Sequence, residues 1–346
     1  MIDRSSLRPR SSRPLLAALA AGLVGSLLLA GCGGGKGAGK GDGSPDPQGT
    51  EGGTTLAAVQ PLTGLPVNGA TPSHPVIVVK IDNSEASDPQ YGLGSADMVV
   101  EEMVEGGYTR LAVAFYSTLP KVAGPVRSAR ASDLGIVLPT RAALVASGAA
   151  PPTKRRLASA GVHFYEEGVT GTYRNAAEHD QLHSVFIDLP RFAKTLPKAG
   201  VVPNYLAWGS ESDFVGVKPA RKIAVRFSPI TTTTFKWTGK KYLNTDTYAK
   251  TGDQYKADSV LVLRVREGDA GYRDPAGNPV PETLFRGKGT MMLFHNGQVL
   301  VGTWSKADRG APLVLSTVAG EVKVPAGHVW MELLPRNSQG GSITFR

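Results

Sequence analysis

The side chains best equipped for chemistry lie between residues 104 and 130. Residues 104–110 read VEGGYTR, residues 124–130 read GPVRSAR, and an apolar run, residues 111–117, lies between them. Glu105 stands beside Gly106 and Gly107, and Arg110, Arg127 and Arg130 follow within twenty-one residues. Arginine presents forked donors, and the start of a helix offers free backbone N–H groups, so the set suits a phosphate or carboxylate. The spacing predicts a strand over residues 111–116 and a helix beginning at Ala129 with Ser128 as its cap. The same charges also fit an internal network in which Glu105 pairs with Arg127 or Arg130 to lock strand against helix. Both readings stay open at this level.

Carboxylates supply a second chemistry. Asp97, Glu101, Glu102 and Glu105 cluster in sequence, and a glycan hydrolase needs two carboxyls flanking a sugar bond. In an extended strand Glu101 and Glu105 share a face while Glu101 and Glu102 oppose each other. Glu105 with Asp97 or Glu101 is therefore the catalytic alternative to a binding site. Residues 179–183, His-Asp-Gln-Leu-His, imitate the zinc-protease helix signature with Asp180 in place of glutamate. The shorter carboxylate and the lack of a third ligand predict no metal site. No G-x-S-x-G elbow occurs, and Gly287-Lys288-Gly289-Thr290 lacks the spaced glycine of a phosphate loop. Trp208, Trp237, Trp304 and Trp330 could stack on sugars, but within strands they are expected to fill the core.

The elements that must position these groups form two blocks. Residues 76–81, 98–103, 111–117, 142–146 and 162–165 read as strands, and residues 129–138, 153–158 and 189–196 as helices. That alternation predicts an α/β domain with a mixed sheet over residues 57–215. A turn-rich PLTGLPVNG segment (61–69) is expected to lie over its surface. The polar break GSESDFVG (209–216) precedes a series of short strands separated by turn signals, so residues 216–346 form a β-rich domain. Asn296-Gly297 between two apolar runs predicts a type I′ hairpin. The fold class is α+β.

The N-terminus carries an address. Arg4, Arg8, Arg10 and Arg13 precede an apolar run ending at Leu29-Ala30-Gly31-Cys32, the pattern of a secretory signal over residues 1–31. Cys32 is the single cysteine and sits at the cleavage point, as in a bacterial lipobox, which implies that it becomes lipidated. Residues 32–56 then read as a Gly-rich flexible tether. With Cys32 so used, the folded part has no disulfide and no thiolate chemistry. Removing Arg4, Arg8, Arg10, Arg13 and Asp3 from the formal +9 leaves 34 basic and 28 acidic residues, near +6. A moderately basic exported protein beside anionic lipid and wall polymer needs no nucleic-acid partner. Residues 154–156, Lys-Arg-Arg, read as a solvated helix face.

PLTGLP, Ile81-Asp82-Asn83, Gln90-x-Gly92-Leu93, Ala96-Asp97, VEGGYTR and GPVRSAR, in that order, resemble the YerB-like bacterial lipoprotein family. Gly287-Lys288-Gly289, Asn296-Gly297, Gly302-Thr303-Trp304, Gly327 and Trp330 extend the resemblance through the second half. It implies a surface lipoprotein with an N-terminal α/β and a C-terminal β domain, both of unknown function, on the outer face of the cytoplasmic membrane. A diacylglyceryl or palmitoyl anchor at Cys32 would hold it there, and no cofactor is implied. Tyr173-Arg174-Asn175 and Leu182-His183-Ser184 stand where relatives have Tyr-Arg-Asp and Pro-His-Asn, so Arg174 and His183 join the expected site while Asn175 and Ser184 depart from it. The residues favour a non-enzymatic lipoprotein that binds an anionic wall component, such as peptidoglycan or another wall polymer, or a cell-wall synthesis protein. The alternative is a cell-wall glycan hydrolase.

Overall fold

Mostly apolar strands belong in the middle of a sheet covered on both sides, and three go there, taking a few charged residues with them. In the computed structural model, which describes residues 58–346, β1 (Ile77–Asp82), β2 (Met98–Met103) and β3 (Thr109–Phe115) are buried along their whole lengths. β3 runs antiparallel between β1 and β2, while β4 (Ala143–Val145) and β5 (Phe164–Tyr165) continue the sheet in parallel beyond β1. The signal peptide, Cys32 and the tether lie outside the described residues.

Helices are short: α1 (Leu134–Val137), α2 (Pro151–Ser159) and α3 (Leu189–Ala193). Each of the last two carries proline in its first turn, where a missing N–H leaves no bond unmade. The helix expected from Ala129 starts two residues later, as a 3-10 turn over Ala131–Asp133 that leads into α1. The PLTGLP segment is less superficial than expected, because Leu62 is buried in the core.

The sheet does not stop where the first half of the sequence does. Val329–Pro335, from near the C-terminus, lies parallel to β2 on one side and to the long strand Ser259–Arg273 on the other. Gly287–His295, Gln298–Lys306 and Val314–Thr317 then extend it antiparallel. Asn296 and Gly297 have φ of 48° and 71°, as a type I′ turn requires. Ser259–Arg273 is longer than the short strands expected of this half, because its polar second half pairs with Pro279–Leu284 as a projecting arm. A second, five-stranded sheet ends with Ser342–Phe345 paired to Lys222–Arg226. Alternate side chains of β1–β3 feed two cores. Val78, Val100 and Ala112 enter one, while Val79, Val99 and Val113 enter the other with Val225 and Phe235 of the smaller sheet. All the described residues belong to one compact unit of contacts.

One position in β1 breaks its apolar run. Lys80 is fully buried, and its Nζ lies 2.9 Å from Glu102 Oε1 and 2.8 Å from Asp133 Oδ1, both also out of solvent. Burial by itself would strip the proton from Lys80, but Asp133 and Glu102 outweigh it and hold its pKa above the ordinary value. Burial pushes Glu102 up to about 7, against the pull of Lys80. Replacing Lys80 with methionine leaves two carboxyls buried without a cation, and we expect a loss of about 3–5 kcal/mol in denaturant melts. A raised carboxyl pKa stabilises the fold below the unfolded value of 4.5, and that contribution drains away as pH rises through about 7. Glu102→Gln is therefore expected to flatten the fall in thermal midpoint over this window; an unchanged slope would show that Glu102 does not titrate there.

Candidate functional site

Asp82 closes β1, Val104 follows the end of β2, and Arg110 lies near the start of β3, so three strand ends meet at one place. Arg110 sits opposite Asp82 on one neighbour and Glu102 on the other. The Glu105–Gly107 turn closes the β2–β3 connection with φ of 72° at Gly106 and 81° at Gly107, a backbone that side chains other than glycine resist. A Cβ on Gly107 would also meet Ser228 Oγ at 3.1 Å. The Gly107 carbonyl accepts hydrogen bonds from the hydroxyls of Ser228 (2.6 Å) and Thr231 (2.8 Å), so the second half of the chain props the turn.

The three arginines reach this point from different directions. Arg130 grips Glu105 with Nε at 2.8 Å and with Nη2. Arg127 places Nε 3.0 Å from Asp82 Oδ2 and donates from Nη1 to the Leu182 carbonyl at 2.6 Å. Arg110 donates from Nη1 to the Ser128 carbonyl at 3.0 Å, but its Nη2 is 3.5 Å from Glu105, and its buried Nε has no hydrogen-bond partner among the described residues. Three guanidinium groups thus face two close carboxylates, Asp82 and Glu105. Burial and the charge of Arg130 together bring Arg110 down to about 10, which leaves it protonated at neutral pH and incompletely neutralised. Burial would raise the Glu105 carboxyl, yet the hydrogen bonds and charge of Arg130, with Arg110 behind, hold it at about 2.

These groups open on a cleft of about 680 Å³. Glu105, Gly106, Arg110, Arg127 and His183, all selected from the sequence, line it. His183 Nδ1 lies 2.9 Å from Asp180 and its Nε2 3.9 Å from Asp82. Asp82, Ser84, Glu85, Tyr108, Tyr248, Asp274 and Asn278 supply most of the remaining polar wall. Asp82 stands in the Ile81-Asp82-Asn83 motif at the end of an apolar strand, whereas Tyr248, Asp274 and Asn278 come from the second half and carry no local motif.

Other expected members stand elsewhere. Ser128 is not a helix cap; its carbonyl serves Arg110, and the Arg130 N–H at the helix entry is taken by Asp133 Oδ2 at 2.7 Å. A helix-start anion site is thereby closed by the chain's own carboxylate. Arg130 is a buried brace behind Glu105 and Gly107 is a support of the turn; neither lines the cleft. Arg174 pairs with the Glu167 carboxylate and the Gln181 carbonyl on an exposed hairpin, away from the cleft wall. His179 and His183 lie in turns instead of on one helical face; His179 packs on Phe186, 5.1 Å between ring centres.

The carboxylate pairs of the hydrolytic alternative are not brought together. Asp97 precedes β2 and accepts the N–H groups of Tyr116 (2.6 Å) and Ser117 (2.9 Å) and the Ser117 hydroxyl. Glu105 follows the other end of the same strand, roughly 25 Å away at about 3.3 Å per residue. Glu101 is fully buried, accepts from Asn83, Thr109 and Thr233, and is pushed upward by burial. Neither Asp97 nor Glu101 lines the cleft.

Two family models match the chain. Residues 62–202 match the N-terminal domain, and residues 223–331 the C-terminal domain, of a "Protein of unknown function (DUF3048)". A Bacillus subtilis (strain 168) protein described as "Putative lipoprotein YerB" is 34% identical over 104 residues, which is 30% of this chain and 31% of that relative. The crystal structure of the YerB protein from Bacillus subtilis superposes with a TM-score of 0.68 at 19% identity, covering 83% of this chain and 99% of that one. At that identity the superposition establishes the fold, while the two models spanning most of the chain establish the kinship. The chain belongs to the DUF3048 family and carries both its N-terminal and its C-terminal domain.

Proposed function

We propose that this chain is a lipoprotein anchored through Cys32 on the outer face of the cytoplasmic membrane, and that its cleft binds a carboxylate-bearing component of the cell wall. The anchor rests on the signal pattern ending at Cys32 and on the description of the Bacillus relative. Among the described residues no helix is long and apolar enough to cross a membrane.

One observation carries the binding reading: Arg110, buried at the cleft floor, is left with a long contact to Glu105 and an unpartnered Nε. A cation desolvated and incompletely matched by its own contacts gains from a carboxylate that docks on it, even though Asp82, Glu85, Glu105 and Asp274 outnumber Arg110 and Arg127 along the wall. Tyr108, Tyr248, Ser84, Asp274 and Asn278 around it offer hydroxyl, amide and acidic groups for the hydroxyls and amines of a wall glycopeptide. The hydrolase reading asks for a carboxyl poised to give a proton. Glu105, held at about 2 by Arg130, is poorly suited to that role. A cell-wall synthesis protein presenting an acidic side chain would use the same arginines.

The test is pelleting of a soluble form beginning at Thr55 with purified cell-wall sacculi, with mass spectrometry of the supernatant. Wild type is expected in the pellet without released fragments. Arg127→Ala is expected to weaken binding roughly tenfold or more, the worth of a charge-assisted contact. Its thermal midpoint should fall by no more than a few degrees, since Asp82 loses a partly exposed cation but keeps the Ser84 N–H at 2.8 Å. Fragments that vanish in Glu105→Gln would replace the binding reading with hydrolysis. Absence of both pelleting and release would remove the wall and leave a protein partner.

A further inference from the structure

A second cleft, unconnected with the residues above, lies where α2 meets the projecting arm. It encloses about 930 Å³, and four arginines from three distant segments line it: Arg155 and Arg156 of α2, Arg286 just beyond the strand Pro279–Leu284, and Arg309. The sequence suggested only a solvated basic face at 154–156; the fold faces that helix with two more guanidinium groups.

The acids lining this cleft are already committed. Glu282 is buried and pinned between Arg156 Nη1 (2.6 Å) and Arg309 Nη2 (2.8 Å). Asp308 accepts the backbone N–H groups of Gly310 (2.7 Å) and Ala311 (2.8 Å). Arg155 and Arg286 are exposed, and neither side chain has an ion-pair or hydrogen-bond partner among the described residues. Four cations against two anions leave an excess of two, whereas in the first cleft four carboxylates line the wall with two arginines. The walls are braced: Thr153 Oγ1 lies 3.0 Å from the Tyr272 hydroxyl, and Arg156 Nη2 donates to the Ala270 carbonyl at 3.3 Å.

The cleft also has an apolar annex. A smaller pocket of about 250 Å³ shares Leu138, Ala160 and Gly310 with it and continues past them to Val137, Ala142 and Val162, with the exposed Arg141 and His163 as its polar lining. Cationic space that opens directly into apolar space matches an amphiphile with an anionic head. No Phe, Tyr or Trp lines either chamber, so the stacking platform a nucleic acid uses is missing from these linings.

We propose that the two chambers together bind a phosphate-headed lipid, its phosphate held by Arg155, Arg156, Arg286 and Arg309 and its hydrocarbon end in the annex. Guanidinium forks match the oxygens of a phosphate, and a dianionic monoester matches the excess charge.

Titration calorimetry of the form beginning at Thr55 tests this with three probes: dihexanoyl phosphatidic acid below its micelle concentration, dihexanoyl phosphatidylcholine, and inorganic pyrophosphate. Phosphatidic acid is expected to bind tightest, pyrophosphate more weakly, and phosphatidylcholine not measurably. Arg155→Glu combined with Arg286→Glu should cost at least about tenfold in affinity for phosphatidic acid. Lys240→Glu combined with Lys256→Glu, the same charge change on the five-stranded sheet, should leave it unchanged. Ala160→Phe, which fills the mouth of the annex, should weaken phosphatidic acid and spare pyrophosphate. Equal binding of phosphatidic acid and pyrophosphate, with Ala160→Phe inert, would make this a free-phosphate site and overturn the lipid. Equal binding of both lipids, or binding indifferent to the arginine reversals, would overturn the proposal altogether.

Discussion

A single ammonium group with no access to water sets the frame of this molecule. Lys80 lies in a strand buried along its whole length, and its charge survives there because Glu102 of β2 and Asp133 at the entry to α1 close on it from two sides. Separating any of the three would strand a bare charge in the interior, so strand, neighbouring strand and helix are held to one arrangement. Asp133 also accepts the N–H of Arg130, which aims that guanidinium at Glu105. The polar centre of the cleft is therefore reached by one chain of contacts starting at a lysine that never touches the solvent.

Much of this was legible in the sequence, for reasons that differ from residue to residue. β1 and β3 appeared as largely apolar runs because both their faces are covered, and β2 as an apolar start followed by Glu101 and Glu102. The gathering of Glu105, Arg110 and Arg127 was signalled by density of charge beside a Gly-Gly turn. What those charges do to one another was not signalled, since Arg130 and Arg127 differ in spacing by three residues and yet one is a buried brace and the other a cleft wall. Ser128 looked like a helix cap because its side-chain chemistry suits one; the backbone instead gave that place to Arg130 with Asp133. Asp97, Glu101 and Glu105 are close in number but lie along an extended strand, where each step carries the chain further away. Lys80 hid inside its apolar run, and the partners that permit it stand 22 and 53 positions on.

The two clefts show how placement decides the meaning of arginine. In the first, Arg127 and Arg130 each meet a carboxylate at close range while Arg110 keeps only a longer contact, among many polar and acidic groups. In the second, Glu282 serves two arginines at once and the others project freely, so the local field is positive over a wider space. The chain thus holds two chemically distinct concavities on one continuous sheet, one suited to selective polar contact and one to stronger, salt-sensitive attraction.

The strand Val329–Pro335 has a bearing on how the chain acquires its shape. It is the seam between β2 and Ser259–Arg273, paired in parallel with both, although more than two hundred residues separate it from β2. A chain made from its N-terminus presents the free edge of β2 long before the segment that covers it exists. Until then neither half can complete its sheet, and the exposed edge invites pairing with other chains. Such long-range closure is slow, because the entropy of a long loop is lost before any ladder bond is gained. The stretch that joins the halves arrives late, so incomplete chains that lack it are natural targets of chaperones and proteases.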